Sequence, residues 1–129
     1  MPTPVEIVRD FCACWGESRE ALRDSFRRYL TPNAVWENVG LSVTTGPDEA
    51  IALLDSFETS AGIVTIKVDM LAIVADGSRV LTERIDRMVD ANGVEHVNIR
   101  LMGIFELEGD RISAWRDYFD SAVLTPPAG

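Results

Sequence analysis

The stretch Val80-Leu81-Thr82-Glu83-Arg84-Ile85-Asp86-Arg87-Met88 has the character of a β-strand with charges on both faces. Successive residues of a strand point to opposite sides. One side therefore carries Val80, Thr82, Arg84, Asp86 and Met88; the other carries Leu81, Glu83, Ile85 and Arg87. Neither side is cleanly apolar. Arg84 and Asp86, two apart on one side, stand about 6–7 Å apart along the strand, within reach of each other's side chains. On an exposed edge they would be solvated charges. On an interior face they need further hydrogen-bond partners, because an uncompensated buried charge is costly. The nine residues alone leave both readings open.

The flanking sequence continues in strands. Ile63 to Val74 is rich in β-branched residues and ends at the turn Ala75-Asp76-Gly77-Ser78. Arg79 to Asp90 is the strand quoted above, and Ala91-Asn92-Gly93 after it is a strong hairpin turn. Val94 to Leu107 reads as a long strand with Gly103 a candidate bulge. Glu108-Gly109-Asp110 turns the chain again, and Arg111 to Phe119 is the last strand.

Upstream the period changes to that of helices. Val5, Val8, Phe11, Cys12 and Trp15 recur at helical spacing from Pro4 to Trp15, and Gly16 ends the run. Ser18 is a candidate N-cap for a second helix over Arg19–Leu30, with Leu22, Phe26, Tyr29 and Leu30 as its stripe. Thr31-Pro32-Asn33 is expected to turn, followed by a short strand over Ala34–Val39 with Trp36 and Asn38 on one face. A loop through Gly40 and Gly46 leads to a third helix, opened by Pro47 and running to about Thr59. Asp48 and Glu49 sit in its first turn, and Ile51, Leu54 and Phe57 face inward. Helices followed by a meander of long strands define an α+β domain, with one pocket expected on the concave face of the sheet. The whole chain, 1–129, reads as a single domain whose last residues, about 121–129, form a mobile tail.

Composition narrows the function. A formal net charge of −9 over 129 residues argues against a nucleic-acid partner, which needs a basic patch. No run reaches the roughly 18 apolar residues of a membrane span. The start Met1-Pro2-Thr3-Pro4-Val5-Glu6 lacks the basic and apolar segments of a signal peptide, so a cytoplasmic location is expected. Cys12 and Cys14 point away from each other on a helix, which disfavours a disulfide or a shared metal. His96 is the sole histidine, and beside a turn it reads as a surface residue. Glycine-rich phosphate loops are absent. Chemistry must come mainly from Asp, Glu, Arg, Asn, Tyr and Trp.

In the last strand Trp115, Asp117 and Phe119 share a face, and an ionisable Asp between two large aromatics is a candidate for burial and a shifted pKa. In the long strand Val97, Ile99, Leu101, Gly103 and Phe105 form an apolar face fit to line a pocket. If Arg84, Asp86 and Asp117 meet, one guanidinium bridges two carboxylates. The better-paired acid is held ionised, while like charge and desolvation raise the pKa of the other. One then serves as general base and the other as general acid. The amide oxygen of Asn38 can accept a hydrogen bond from a water held there.

Thr82-Glu83-Arg84-Ile85-Asp86, with Trp115-Arg116-Asp117-Tyr118-Phe119-Asp120 about thirty residues later, closely resembles the limonene-1,2-epoxide hydrolase family. Trp36-Glu37-Asn38 stands where that family has a water-holding Tyr-x-Asn, and the helix start at Gly46 and the segment Gly103-Ile104-Phe105 also fit. The resemblance covers about Val5 to Asp120. It implies the nuclear transport factor two-like fold, also called SnoaL-like or cystatin-like: a cone-shaped, curved mixed sheet under three to four helices, commonly dimeric. It implies a one-step hydrolysis of a lipophilic epoxide by water, with no covalent intermediate and no cofactor. By matching position Asp117 would be the base that deprotonates the water and Asp86 the acid that protonates the epoxide oxygen. Arg84 would orient both, and Asn38 would position the water. Ile63, Ile66, Met88, Ile99, Leu101 and Phe119 would form apolar pocket walls.

Trp36 departs from the family pattern. An indole N–H only donates a hydrogen bond, whereas the tyrosine hydroxyl both donates and accepts. Trp36 can still donate to the water oxygen, in a narrower pocket. Because one fold hosts unrelated activities, other readings compete: an isomerase, a polyketide cyclase, an epoxide-opening cyclase and a non-enzymatic ligand-binding module. The bridging Arg84 argues against the isomerase. A covalent epoxide hydrolase of the α/β-hydrolase type would need a longer chain and a catalytic His.

Overall fold

The structure, a computed structural model, describes residues 2–124. Three helices come in the first half: α1 (Pro4–Cys14), α2 (Arg19–Tyr29) and α3 (Gly46–Ala61). Six strands accompany them: β1 (Leu30–Asn38), β2 (Ser42–Thr45), β3 (Ile63–Asp76), β4 (Arg79–Asp90), β5 (Glu95–Glu108) and β6 (Arg111–Tyr118). They form one sheet in the order β2-β1-β6-β5-β4-β3. The β1–β6 pair is parallel and the other pairs are antiparallel, so the sheet is mixed.

Local chemistry starts the helices where the sequence does. Thr3 accepts from the Glu6 backbone N–H while the Glu6 side chain reaches back to Thr3, a reciprocal cap that satisfies two orphan donors of α1. Ser18 caps α2 by accepting from Ala21 N at 2.9 Å. Gly62, in the left-handed region, ends α3. The helices bury Val8, Phe11, Cys12, Leu22, Phe26, Ala50 and Leu54 against Val80, Phe105, Ile112 and Trp115 of the sheet. Arg23 of α2 is buried and ion-paired to Asp55 and Glu58 of α3, which ties those two helices together.

Three local expectations change. Thr31-Pro32-Asn33 does not turn; Leu30 switches from helical to extended backbone and β1 begins at once. Pro32 has no N–H for the ladder, and pairing to β6 shifts register between Leu30 and Val35. The segment between Gly40 and Gly46 contains a short edge strand, β2, built on Ser42-Val43-Thr44-Thr45 and too brief to show a period. Gly103 is not a bulge: it pairs in continuous register with Thr82 on one side and Asp117 on the other. The shifts fall at Met88/Val89 and Glu106/Leu107 instead. Within the expected C-terminal tail, Ser121–Leu124 form a turn of 3-10 helix, and residues 125–129 lie outside the described residues.

The strand quoted at the outset, β4, lies inside the sheet between β3 and β5. Its Val80, Thr82, Arg84 and Asp86 are buried on the helix-covered face, and the exposed-edge reading falls. Gly46 bears on the same architecture. Its φ is +83°, and a Cβ there would lie 2.8 Å from the Pro32 carbonyl oxygen, so only glycine lets α3 start so close to β1.

Candidate active site

Arg84 is fully buried, a position that demands partners for its guanidinium. It has them. Nε donates to Asp86 Oδ1 at 3.1 Å and Nη2 to Asp86 Oδ2 at 3.0 Å, a two-pronged pair along one strand face. Nη2 also reaches both oxygens of Asp117, at 3.1 Å each. Nη1 donates to Thr82 Oγ1 at 2.9 Å, and the Thr82 hydroxyl in turn donates to the Gly103 carbonyl at 3.1 Å. The rings of Trp15 and Phe105 each lie 5.5 Å from the guanidinium carbon and cover it further. Burial works against the charged guanidinium, but Asp117 and Asp86 outweigh it, so Arg84 is held more firmly protonated than usual.

Asp117 enters from β6, across Gly103 of β5. Its carboxylate accepts from the Trp115 indole N–H at 2.9 Å as well as from Arg84. It is 3% exposed, and burial pushes its carboxyl up to about 6. The nearby Asp86 charge adds to that rise, while Arg84 and the Trp115 N–H oppose it. The site thus holds two carboxylates on one fixed cation, one of them poised to exchange a proton near neutrality.

Asp86 and Asp117 both line a cavity of about 460 Å³ between sheet and helices. All six residues expected as apolar walls line it: Ile63, Ile66, Met88, Ile99, Leu101 and Phe119. Trp36 and Asn38 line it too, while Arg84 stands behind the carboxylates without reaching the cavity. The Trp36-x-Asn38 element lies on β1 in register with Trp115-x-Asp117 on β6, so alternate residues of both strands face the same space. The Asn38 amide nitrogen donates to Ser42 Oγ at 3.1 Å, which leaves Oδ1 as its acceptor atom. The Trp36 ring stacks on Trp115 with centroids 4.6 Å apart and planes 9° from parallel. Its Nε1 is buried and has no hydrogen-bond partner among the described residues. In this rotamer Trp36 is a wall.

The sequence reading missed several contributors. Thr82 lay inside the recognised motif but carried no signal of its own beyond sharing a face with Arg84. Trp115 was read as a neighbour of Asp117 and not as its hydrogen-bond donor. Trp15 and Phe26, assigned to the core by their helical spacing, also border the cavity, as do Leu53 and Phe57 of α3. His96 is exposed yet also touches the rim, with Nε2 2.7 Å from Asp90 Oδ2. The register shift after Met88 makes its facing hard to infer from strand alternation.

Three helices over a six-stranded mixed sheet define a nuclear transport factor two-like domain, and this one holds an arginine-bridged carboxylate pair in a largely apolar cavity. Residues 2–125 match the limonene-1,2-epoxide hydrolase catalytic domain, and the chain belongs to that family. Epoxide hydrolase EphG of Mycobacterium tuberculosis is 38% identical over 97 residues, which span 75% of this chain and 62% of that protein. The chain therefore matches less than two thirds of that relative's length. An LEH-like epoxide hydrolase from M. tuberculosis superposes with a TM-score of 0.74 at 30% identity, covering 92% of this chain and 84% of the other. A nuclear transport factor two-like protein of unknown function from Burkholderia pseudomallei superposes with a TM-score of 0.75 at 19% identity, covering 96% and 95% of the two chains, and speaks to the fold alone.

Proposed function

We propose that this protein is an epoxide hydrolase that converts a lipophilic epoxide to a vicinal diol in one step. The observation that carries the reading is the pair Asp86 and Asp117 on one buried guanidinium, both lining a largely apolar cavity. The epoxide lies against Ile63, Ile66, Met88, Ile99, Leu101 and Phe119, with its oxygen toward Asp86 and a water between Asn38 and Asp117. Asp117, ionised, takes a proton from the water as its oxygen attacks a ring carbon. The carbon–oxygen bond breaks and Asp86 gives a proton to the departing oxygen; this division of roles follows the family resemblance and not the sharing of Arg84, which gives Asp86 the larger part. The pair ends with its proton on Asp117 and returns it to Asp86 through solvent. Arg84 stays charged throughout and fixes the geometry of both acids. No cofactor takes part in these steps.

The reading is tested by diol formation from limonene oxide, cyclohexene oxide, styrene oxide and a fatty epoxide, followed as a function of pH. Turnover of at least one is expected, with the rate falling as pH drops through about 6, because the base must be ionised and burial holds Asp117 near that value. Absence of diol from all four, or a rate that rises on acidification through that range, contradicts it.

The active species is proposed to be a homodimer, as the family resemblance implies. Support comes from the uncovered face of the sheet, where Met102 and Tyr118 are register partners about half exposed, at 52% and 49%. Leu81 and Val35 are exposed on the same face. Sedimentation equilibrium is expected to give twice the mass of the chain, and Met102→Asp to give the monomer. A monomeric wild type at micromolar concentration refutes this.

A further inference from the structure

We propose that Thr82 is a positioning residue that divides Arg84 unequally between the two carboxylates, giving two nitrogens to Asp86 and one to Asp117. The proposal rests on the reading of Asp86 and Asp117 as acid and base, although the geometry behind it does not.

A guanidinium has five N–H donors in a rigid fork, and either edge of the fork fits a carboxylate. In this site the edge formed by Nε and Nη2 is spent on Asp86, at 3.1 and 3.0 Å. Asp117 receives only Nη2, stretched evenly over its two oxygens at 3.1 Å. The other edge, which includes Nη1, would suit Asp117 better. Nη1 and Asp117 Oδ1 both lie 2.5 Å from the point where a Cβ on Gly103 would stand, so they are at most twice that distance apart. A swing of the guanidinium toward Asp117 would close the gap.

Thr82 prevents the swing. Its hydroxyl has one proton, and that proton goes to the Gly103 backbone carbonyl at 3.1 Å. The oxygen is therefore left as an acceptor, and it takes Nη1 at 2.9 Å. A β-branched side chain is stiff about χ1, and this one is 1% exposed, so the acceptor is anchored to the sheet. The charged and titratable groups acting on Asp117 are Arg84 and Asp86 from β4 and Cys12 from α1. Burial pushes the Cys12 thiol up to about 12, so it stays neutral at working pH. The share of Arg84 given to each acid is then what tunes the base. A full fork on Asp117 would stabilise its ionised form and make it a weaker base, while loosening Asp86.

Thr82→Val replaces the hydroxyl with a methyl at nearly the same shape, and Thr82→Ser returns the hydroxyl. In Thr82→Val, kcat for the best epoxide is expected to fall about 10- to 100-fold. KM is expected to stay within about twofold, as for a loss felt mainly in the transition state. The acidic limb of the pH profile is expected to move down by about one pH unit. Thr82→Ser restores all three toward wild type. Titration of the Asp117 carboxyl carbon by NMR, without any epoxide, is expected to shift downward in Thr82→Val. That readout holds whatever the substrate, so it separates failure of this inference from failure of the epoxide assignment. Thr82→Ala serves for the same measurements if Thr82→Val does not fold. An Asp117 titration unchanged from wild type in the hydroxyl-less variant, a change confined to KM, or a Thr82→Ser enzyme as impaired as Thr82→Val overturns the proposal.

Discussion

Asp86→Asn and Asp117→Asn are each expected to lower diol formation by about 10²–10⁴-fold while leaving the circular dichroism spectrum unchanged. Asparagine has nearly the shape of aspartate and keeps one acceptor oxygen. In Asp117→Asn that oxygen still receives the Trp115 indole and an Arg84 N–H; in Asp86→Asn it still receives one prong of the Arg84 fork. What is lost is the ability to take or give a proton, together with one acceptor for Arg84, because the new amide NH₂ faces an Arg84 N–H. The two variants are then separated by an anionic nucleophile. Azide needs no base to attack an epoxide, but the departing oxygen still needs an acid. Added azide is therefore expected to restore ring opening in Asp117→Asn and to leave Asp86→Asn inactive. Restoration in Asp86→Asn alone would exchange the two roles. Wild-type diol formation by either variant would end the acid–base assignment.

How much of this was readable beforehand differs by residue. The β-strand character of 80–88 and its facing were legible, because alternation needs only five or six residues to declare itself, and the alternation placed Thr82, Arg84 and Asp86 on one side. Whether that side was interior was not legible from the strand, since charge there suggested solvent. It became so only through Asp117, about thirty residues away, whose setting between Trp115 and Phe119 spoke for burial. Helix α2 running straight into β1 was missed because Pro32 signals a turn locally, and only the parallel pairing to β6 makes extended backbone there worthwhile. Gly103 was misread for a similar reason. A glycine in a strand marks either a bulge or a close approach, and the sequence does not say what approaches. Here the neighbours are side chains from β4 and β6, brought together only by the sheet order. Thr82 was the hardest, since a threonine in a strand needs no explanation until its hydroxyl is seen on Nη1 of Arg84.

Gly103→Ala is expected to cost about 10²-fold in kcat with a smaller loss of stability, about 1–3 kcal/mol. The added methyl would stand 2.5 Å from both Arg84 Nη1 and Asp117 Oδ1 and 3.1 Å from Thr82 Oγ1, well inside van der Waals contact for the first two. The backbone of Gly103 is ordinary extended strand, so alanine brings no conformational strain; the whole effect is steric. Both crowded atoms belong to side chains, which can yield where backbone cannot. They yield by moving away from the methyl, and that movement pulls Nη2 off Asp117 or tilts Asp117 from the Trp115 indole. Either movement displaces the base by a fraction of an ångström to an ångström, a scale at which positioned chemistry is lost faster than packing energy. The variant should therefore remain folded at 25 °C by chemical denaturation while its turnover collapses. Equal turnover in Gly103→Ala and wild type would mean that the distance between Arg84 and Asp117 is not critical, and the bridged pair would lose its claim to be the reacting centre.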